Sequence, residues 1–227
     1  MNKIKSFFNH LSLKASNFMT KVKVFFQSNR SNIPNWLTIL RMILIAPALL
    51  LMIFYWVFMH AFDTDEFMPV LKTIISLILI IFIISMATDF LDGYLARRWK
   101  VVSNFGKLWD PLADKVMTTS VLIFLASINV VPFWIVVIFV LRDIIIDGIR
   151  VVMYKNNVEI AANIYGKIKT LVMSIGIILS TIIYLSVPSI FANPGFNILI
   201  NITMVVALGF SLYSGYLYIK KAKEFIF

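Results

Sequence analysis

The chain has no cysteine among its 227 residues. That excludes disulfides, thiolate metal centres and a cysteine nucleophile, so any metal must be held by oxygen or by histidine. Histidine is scarce as well: the two, His10 and His60, fall in the lysine-rich start and beyond the first apolar run, and read as interfacial polar residues rather than ligands. Only 14% of residues are charged while 60% are hydrophobic, a balance that excludes an ordinary soluble domain. Neither an internal repeat, nor a low-complexity tract, nor a linker-like stretch divides the chain.

What is present is a set of apolar runs of about 20 residues, the length a helix needs to cross a hydrocarbon core roughly 30 Å thick. The pattern predicts an all-α polytopic membrane protein with six transmembrane helices, near residues 36–58, 69–96, 110–129, 131–153, 167–187 and 197–219. Ahead of them, residues 1–30 read as an amphipathic helix lying in the interface. Ile4, Phe8, Leu11, Ala15, Phe18, Val22 and Phe25 recur at helical spacing, and Lys3, Lys5, Lys14, Lys21 and Lys23 take other positions. Lysines interrupt that stretch throughout, which argues against a secretory signal. The rest, 31–227, forms one six-helix domain.

The net charge of +10 decides orientation through its placement. Lys and Arg collect in the N-terminal segment, at Arg97, Arg98, Lys100 and Lys107, at Lys155, and at Lys220, Lys221 and Lys223, while the alternate connections hold almost none. Both termini are therefore expected in the cytoplasm, and the basic balance answers to anionic lipid rather than nucleic acid. Trp36, Trp56, Trp99, Trp109 and Trp134 all fall near predicted span ends, as an interfacial aromatic belt requires.

Ionisable groups near a lipid core need a reason to be there. Asp89, Asp92, Gly93, Ala96, Arg97, Gly106, Asp110 and Asp114 make the pattern D-x2-D-G-x2-A-R-x8-G-x3-D-x3-D. Asp89 and Asp92 are i,i+3, Asp110 and Asp114 i,i+4, so each pair shares a helix face. The short connection between them lets the two helix ends return side by side and gather the four carboxylates. So many anions call for divalent cations, and an all-oxygen donor set suits Mg²⁺ or Mn²⁺. Such a centre serves phosphate chemistry. Gly93 and Ala96 keep the helix surface flat for a bulky group, and Asp110 before Pro111 reads as the N-cap that starts a helix. Ordinary span-end acids paired with Arg97, Arg98 and Lys115 explain any one Asp as well. They do not explain eight specified positions, whose chance match at about 5–8% per residue lies far below one in a million.

With that motif the chain resembles the CDP-alcohol phosphatidyltransferase family, whose signature has the same spacing. The resemblance implies that Asp89, Asp92, Asp110 and Asp114 bind two metal ions, with Asp114 also the catalytic base. It further implies that Gly93, Ala96, Arg97 and Gly106 hold the nucleotide and diphosphate of CDP-diacylglycerol. It implies a homodimer in a bacterial-type plasma membrane, with the active site cytoplasmic and open to membrane lipids.

A second cluster concerns the acceptor. Arg142 and Arg150 lie eight residues apart within a largely apolar run, near two helical turns, and Lys167 and Lys169 open the next span. Four cations together fit capture of a phosphate. These segments, with NIPNWLTILRMILI, resemble the branch of the family that makes phosphatidylglycerol phosphate from sn-glycerol 3-phosphate, which sets Asn35, Thr38 and Arg41 at the site's edge. Asp143 stands where that branch usually has Glu. Asp147 stands where a small or hydroxyl residue is commoner, and can orient or partly neutralise Arg150 three residues on. Inositol phosphate, serine or a phospholipid are alternative acceptors, and a cation-coupled transporter is a rival of another class.

Overall fold

The computed structural model describes residues 33–62, 64–99, 104–155 and 164–226. The amphipathic reading of residues 1–30 lies outside them. Among the described residues there are seven α-helices and no strand: α1 Ile33–Ala61, α2 Thr64–Trp99, α3 Asn104–Ser127, α4 Phe133–Lys155, α5 Ile164–Ser186, α6 Pro194–Ile200 and α7 Ile202–Ile226, with a 3₁₀ turn at Pro188–Ala192 before α6. Four described stretches are long and apolar enough to cross a membrane: Ile33–Ala61, Phe67–Trp99, Ile164–Ser186 and Ile202–Lys223. Large apolar side chains such as Ile43, Ile53, Phe90, Ile123, Ile144 and Leu171 face outward, as the lipid-facing side of a membrane protein requires. The chain is an integral membrane protein.

The described residues fall into two compact units, one made of 33–43, 87–99 and 104–114, the other of 44–62, 64–86, 115–155 and 164–226. The larger unit holds the apolar core. Phe82 and Ile75 of α2, Met117 and Leu125 of α3, Ile135 and Phe139 of α4, Ile177 of α5 and Met204 of α7 are essentially sealed from solvent. Both α4 and α5 pack against α7. At Gly176 the approach is close: a Cβ there would stand 2.9 Å from the Thr203 hydroxyl and 3.0 Å from the Met204 sulfur.

The turn from α3 to α4 is built by Asn129, whose φ of 60° lets the chain leave the helix in a left-handed step. Val130 N–H then reaches back to the Leu125 carbonyl at 2.8 Å, which satisfies one of the helix's last acceptors. A buried polar knot ties this turn to α5, α6 and α7. Asn201 Nδ2 donates to the Val130 carbonyl at 2.8 Å and its Oδ1 accepts from Ser180 at 2.9 Å, while Asn197 Nδ2 donates to the Asn129 carbonyl at 2.8 Å. In an apolar surrounding, backbone acceptors outside a helix need such partners.

Two local expectations are corrected. Asp110 does not cap a helix: α3 starts at Asn104, and Pro111 lies inside it. A proline withholds its own N–H and crowds the preceding turn without ending the helix, and here the helix carries through it. The last span is not one continuous helix from 197, because Asn201, at φ −87° and ψ 19°, separates α6 from α7. Its side chain bonds Val130 and Ser180 from other elements as well as Asn197 one turn back.

Candidate active site

In the smaller unit, α1 supplies Thr38 and Arg41, α2 supplies Asp89 and Asp92, and α3 supplies Asp110. Arg41 is the hub. Its side chain is 0% exposed, Nη1 donates to Asp89 at 2.7 Å, and Nη2 donates to Asp92. The i,i+3 spacing that puts both aspartates on one face of α2 is what lets a single guanidinium fork reach both. Asp92 is itself buried, whereas the Asp89 side chain keeps 41% exposure. Thr38 donates to Asp110, with its hydroxyl also 3.1 Å from the Pro34 carbonyl one turn earlier.

The Asp110 carboxylate lies within electrostatic reach of both Asp89 and Asp92, and the Arg97 guanidinium acts on Asp89. The motif acids Asp89, Asp92 and Asp110 therefore share one electrostatic neighbourhood. Arg97 also covers Gly93, its guanidinium 3.5 Å from where a Cβ would stand. Arg98 turns the other way and donates to the Tyr94 hydroxyl at 3.0 Å. Gly106 lies in the first turn of α3, Ala96 on α2, and Asp114 one turn beyond Asp110.

Among the described residues no three His, Asp or Glu side chains are grouped tightly enough to enclose a metal ion. The donor chemistry still fits a hard divalent cation. Mg²⁺ is usually held by one or two carboxylates with substrate phosphates and water completing the shell. Asp89 and Asp92 are such a pair, already drawn onto one cation, the Arg41 guanidinium.

In the larger unit, three of the four cations expected to take a phosphate, Arg142, Arg150 and Lys169, are each met by an acid. Asp143 receives Arg142 Nη1 and Lys169 Nζ, both at 2.8 Å, while Arg142 Nε donates to the Ser211 carbonyl at 3.0 Å. The Lys169 ammonium also stands 5.3 Å from the centre of the Phe139 ring. Asp147 receives Lys115, and Arg150 approaches it at 4.0 Å. Arg150 lies over Tyr218, 5.1 Å from the ring centre, with Nη2 donating to the hydroxyl at 3.2 Å. Lys167 is exposed. His60 packs on Trp56 and hydrogen-bonds its carbonyl at 2.8 Å.

The sequence set Arg41 and Thr38 at the site's edge, offered Lys115 only as a partner for the motif aspartates rather than for Asp147, and did not mark Tyr218. The signal for Arg41 was an arginine inside an apolar run, which demands a counter-charge. No comparable signal marked Tyr218.

The family signature described as CDP-alcohol phosphatidyltransferase matches residues 31–213. The chain belongs to that family. The matched stretch takes in the whole motif and the cationic cluster. Among curated relatives, the CDP-diacylglycerol–glycerol-3-phosphate 3-phosphatidyltransferase of Mycoplasma genitalium is 36% identical over 179 residues, 74% of this chain and 72% of its own length. The enzyme of the same name from Mycoplasma pneumoniae is 38% identical over 162 residues, 68% of this chain and 70% of its own. The Bacillus subtilis one is 34% identical over 195 residues, 85% of this chain and 96% of its own.

Proposed function

We propose that this protein transfers the phosphatidyl group of CDP-diacylglycerol to sn-glycerol 3-phosphate, giving phosphatidylglycerol phosphate and CMP. The observation that carries the reading is the complete eight-residue motif, with Asp89 and Asp92 drawn onto one cation and Asp110 in reach of both. The names and coverage of the Mycoplasma and Bacillus relatives support the choice of acceptor.

In this reading Asp89, Asp92, Asp110 and Asp114 would hold one or two Mg²⁺ or Mn²⁺ ions. Bound there, such ions neutralise the pyrophosphate and stabilise the leaving phosphate oxygen. Arg97, with Gly93, Ala96 and Gly106, binds the nucleotide and diphosphate. Asp114 takes the proton from the acceptor hydroxyl as its oxygen forms the new bond to the phosphatidyl phosphorus. The bond from that phosphorus to the CMP oxygen breaks, and CMP leaves with the electron pair.

The acceptor phosphate goes to Arg142, Arg150, Lys167 and Lys169. Arg142 and Lys169 both meet the single acid Asp143, and Lys115 and Arg150 both meet Asp147, an arrangement that favours an anion beside each group. Topology follows the same reading: α3 and α4, 24 and 23 residues long, join the four apolar spans to make six, with both termini and the site cytoplasmic and residues 1–30 on the membrane surface. The test is CMP release from CDP-diacylglycerol by purified enzyme, which should require both a divalent ion and glycerol 3-phosphate. Release with serine or inositol phosphate but not with glycerol 3-phosphate would overturn the assignment.

A further inference from the structure

We infer that Arg41 is a resident counter-ion that holds Asp89 and Asp92 together in the metal-free protein and competes with the divalent ion for them. The inference rests on the metal reading just given and adds a residue whose role lies in the metal's absence.

The charges require some such device. Asp89, Asp92 and Asp110 bring three carboxyl groups within electrostatic reach of one another, and Asp92 and Arg41 are both buried. Two neighbouring carboxylates without a cation repel each other, and the buried one, Asp92, also loses hydration. Arg41 answers both costs with one fork, Nη1 on Asp89 at 2.7 Å and Nη2 on Asp92. With the three acids ionised, Arg41 and the Arg97 charge that acts on Asp89 still leave the group net negative, which favours a cation there. Among the described residues the buried Arg41 Nε has no hydrogen-bond partner, and the two aspartates hold the guanidinium through its far end.

A metal arriving at Asp89 and Asp92 meets a fixed positive charge on its own ligands. Whether Arg41 withdraws or stays beside the ion, its charge weakens metal binding: withdrawal breaks two ion pairs, the one to Asp92 buried, and staying adds like-charge repulsion. Both routes give the same sign. Arg41 thus makes the site stable when empty and its metal exchangeable.

The test uses the full chain in detergent or nanodiscs, stripped with chelator, at about pH 8 so that carboxylates are ionised. Free Mn²⁺ is followed by electron paramagnetic resonance during titration, and thermal unfolding is recorded in chelator and in saturating Mg²⁺. Arg41→Gln should bind Mn²⁺ about tenfold or more tighter than wild type. It should also unfold earlier in chelator and regain most of the loss with Mg²⁺, whereas wild type changes little. Arg41→Lys keeps a charge that reaches one carboxylate rather than two and should fall between. Arg41→Gln with wild-type Mn²⁺ affinity and a loss that Mg²⁺ does not restore overturns the inference. If Arg41→Gln does not fold in either condition, Arg41→Lys decides, and wild-type affinity in that variant overturns it. Should wild type itself bind no Mn²⁺ and release CMP in chelator, the metal reading fails and takes this inference with it. Mn²⁺ binding and metal-dependent turnover in wild type, with no change in the variants, removes the inference alone.

Discussion

Replacing Asp143 by Asn removes the one carboxylate shared by Arg142 and Lys169, two cations whose side chains are 13% and 7% exposed. Breaking a buried ion pair by deleting one member costs about 3–5 kcal/mol, because the other charge is left stranded. Here the stranded charges keep something: Arg142 retains the Ser211 carbonyl at 3.0 Å, and Lys169 retains the Phe139 ring at 5.3 Å. A desolvated cation–π contact offsets up to about 2 kcal/mol, so with that offset the net loss should be about 1–3 kcal/mol. For a chain of this length that lowers Tm by about 2–12 °C. The same change makes the group one unit more positive, so a bound phosphate should stabilise the variant more than the wild type. Thermal unfolding in detergent, with and without glycerol 3-phosphate, reads both effects. Asp143→Glu should keep the pairs and lose little. A Tm for Asp143→Asn within about a degree of wild type would refute the pairing argument. A lowered Tm that glycerol 3-phosphate raises no more than in wild type would refute the placement of the phosphate.

Asp114→Asn should abolish CMP release while CDP-diacylglycerol binding, measured by equilibrium dialysis or thermal shift, is largely kept; wild-type turnover would refute the base assignment. Arg150→Ala should raise KM for glycerol 3-phosphate with a smaller effect on kcat, and Tyr218→Phe, which removes the 3.2 Å hydroxyl contact, should do the same more weakly. Gly176→Leu should destabilise by about 1–3 kcal/mol, read as a lower Tm, since its first carbon already meets Thr203 and Met204.

The long apolar runs made the helices legible, because run length against bilayer thickness is a one-dimensional property. The observed helices of the first five predicted spans, Ile33–Ala61, Thr64–Trp99, Asn104–Ser127, Phe133–Lys155 and Ile164–Ser186, lie within a few residues of expectation at most ends. The exceptions have local causes that sequence does not carry. Asn201 interrupts the last span because its amide is used by Val130 and Ser180, 71 and 21 residues away. Pro111 was read as a starting signal, and the helix runs through it from Asn104.

The site divides in the same way. Spacing along one helix announced the aspartate pairs, and the i,i+3 relation of Asp147 to Arg150 appears at 4.0 Å. Partners from other helices were not announced. Arg41 reaches residues 48 and 51 positions on, Thr38 one 72 positions on, and Lys115 takes Asp147 across 32.

The sign of the resident charge separates the two clusters. Among the described ion pairs, Asp89 and Asp92 share one base, whereas Asp143 and Asp147 each meet two bases. A cluster of each sign, with its charges largely paired, is what a transferase needs if it must stay folded while empty and then take a cation on one set of side chains and a phosphate on the other. A carrier of cations alone has use for the first cluster and none for the second. The discriminating perturbation is therefore at the basic cluster: Arg142→Met should abolish turnover with glycerol 3-phosphate while leaving Mn²⁺ binding at the aspartates unchanged. Retained turnover would detach the basic cluster from the acceptor and leave the choice between the two classes to the aspartates alone.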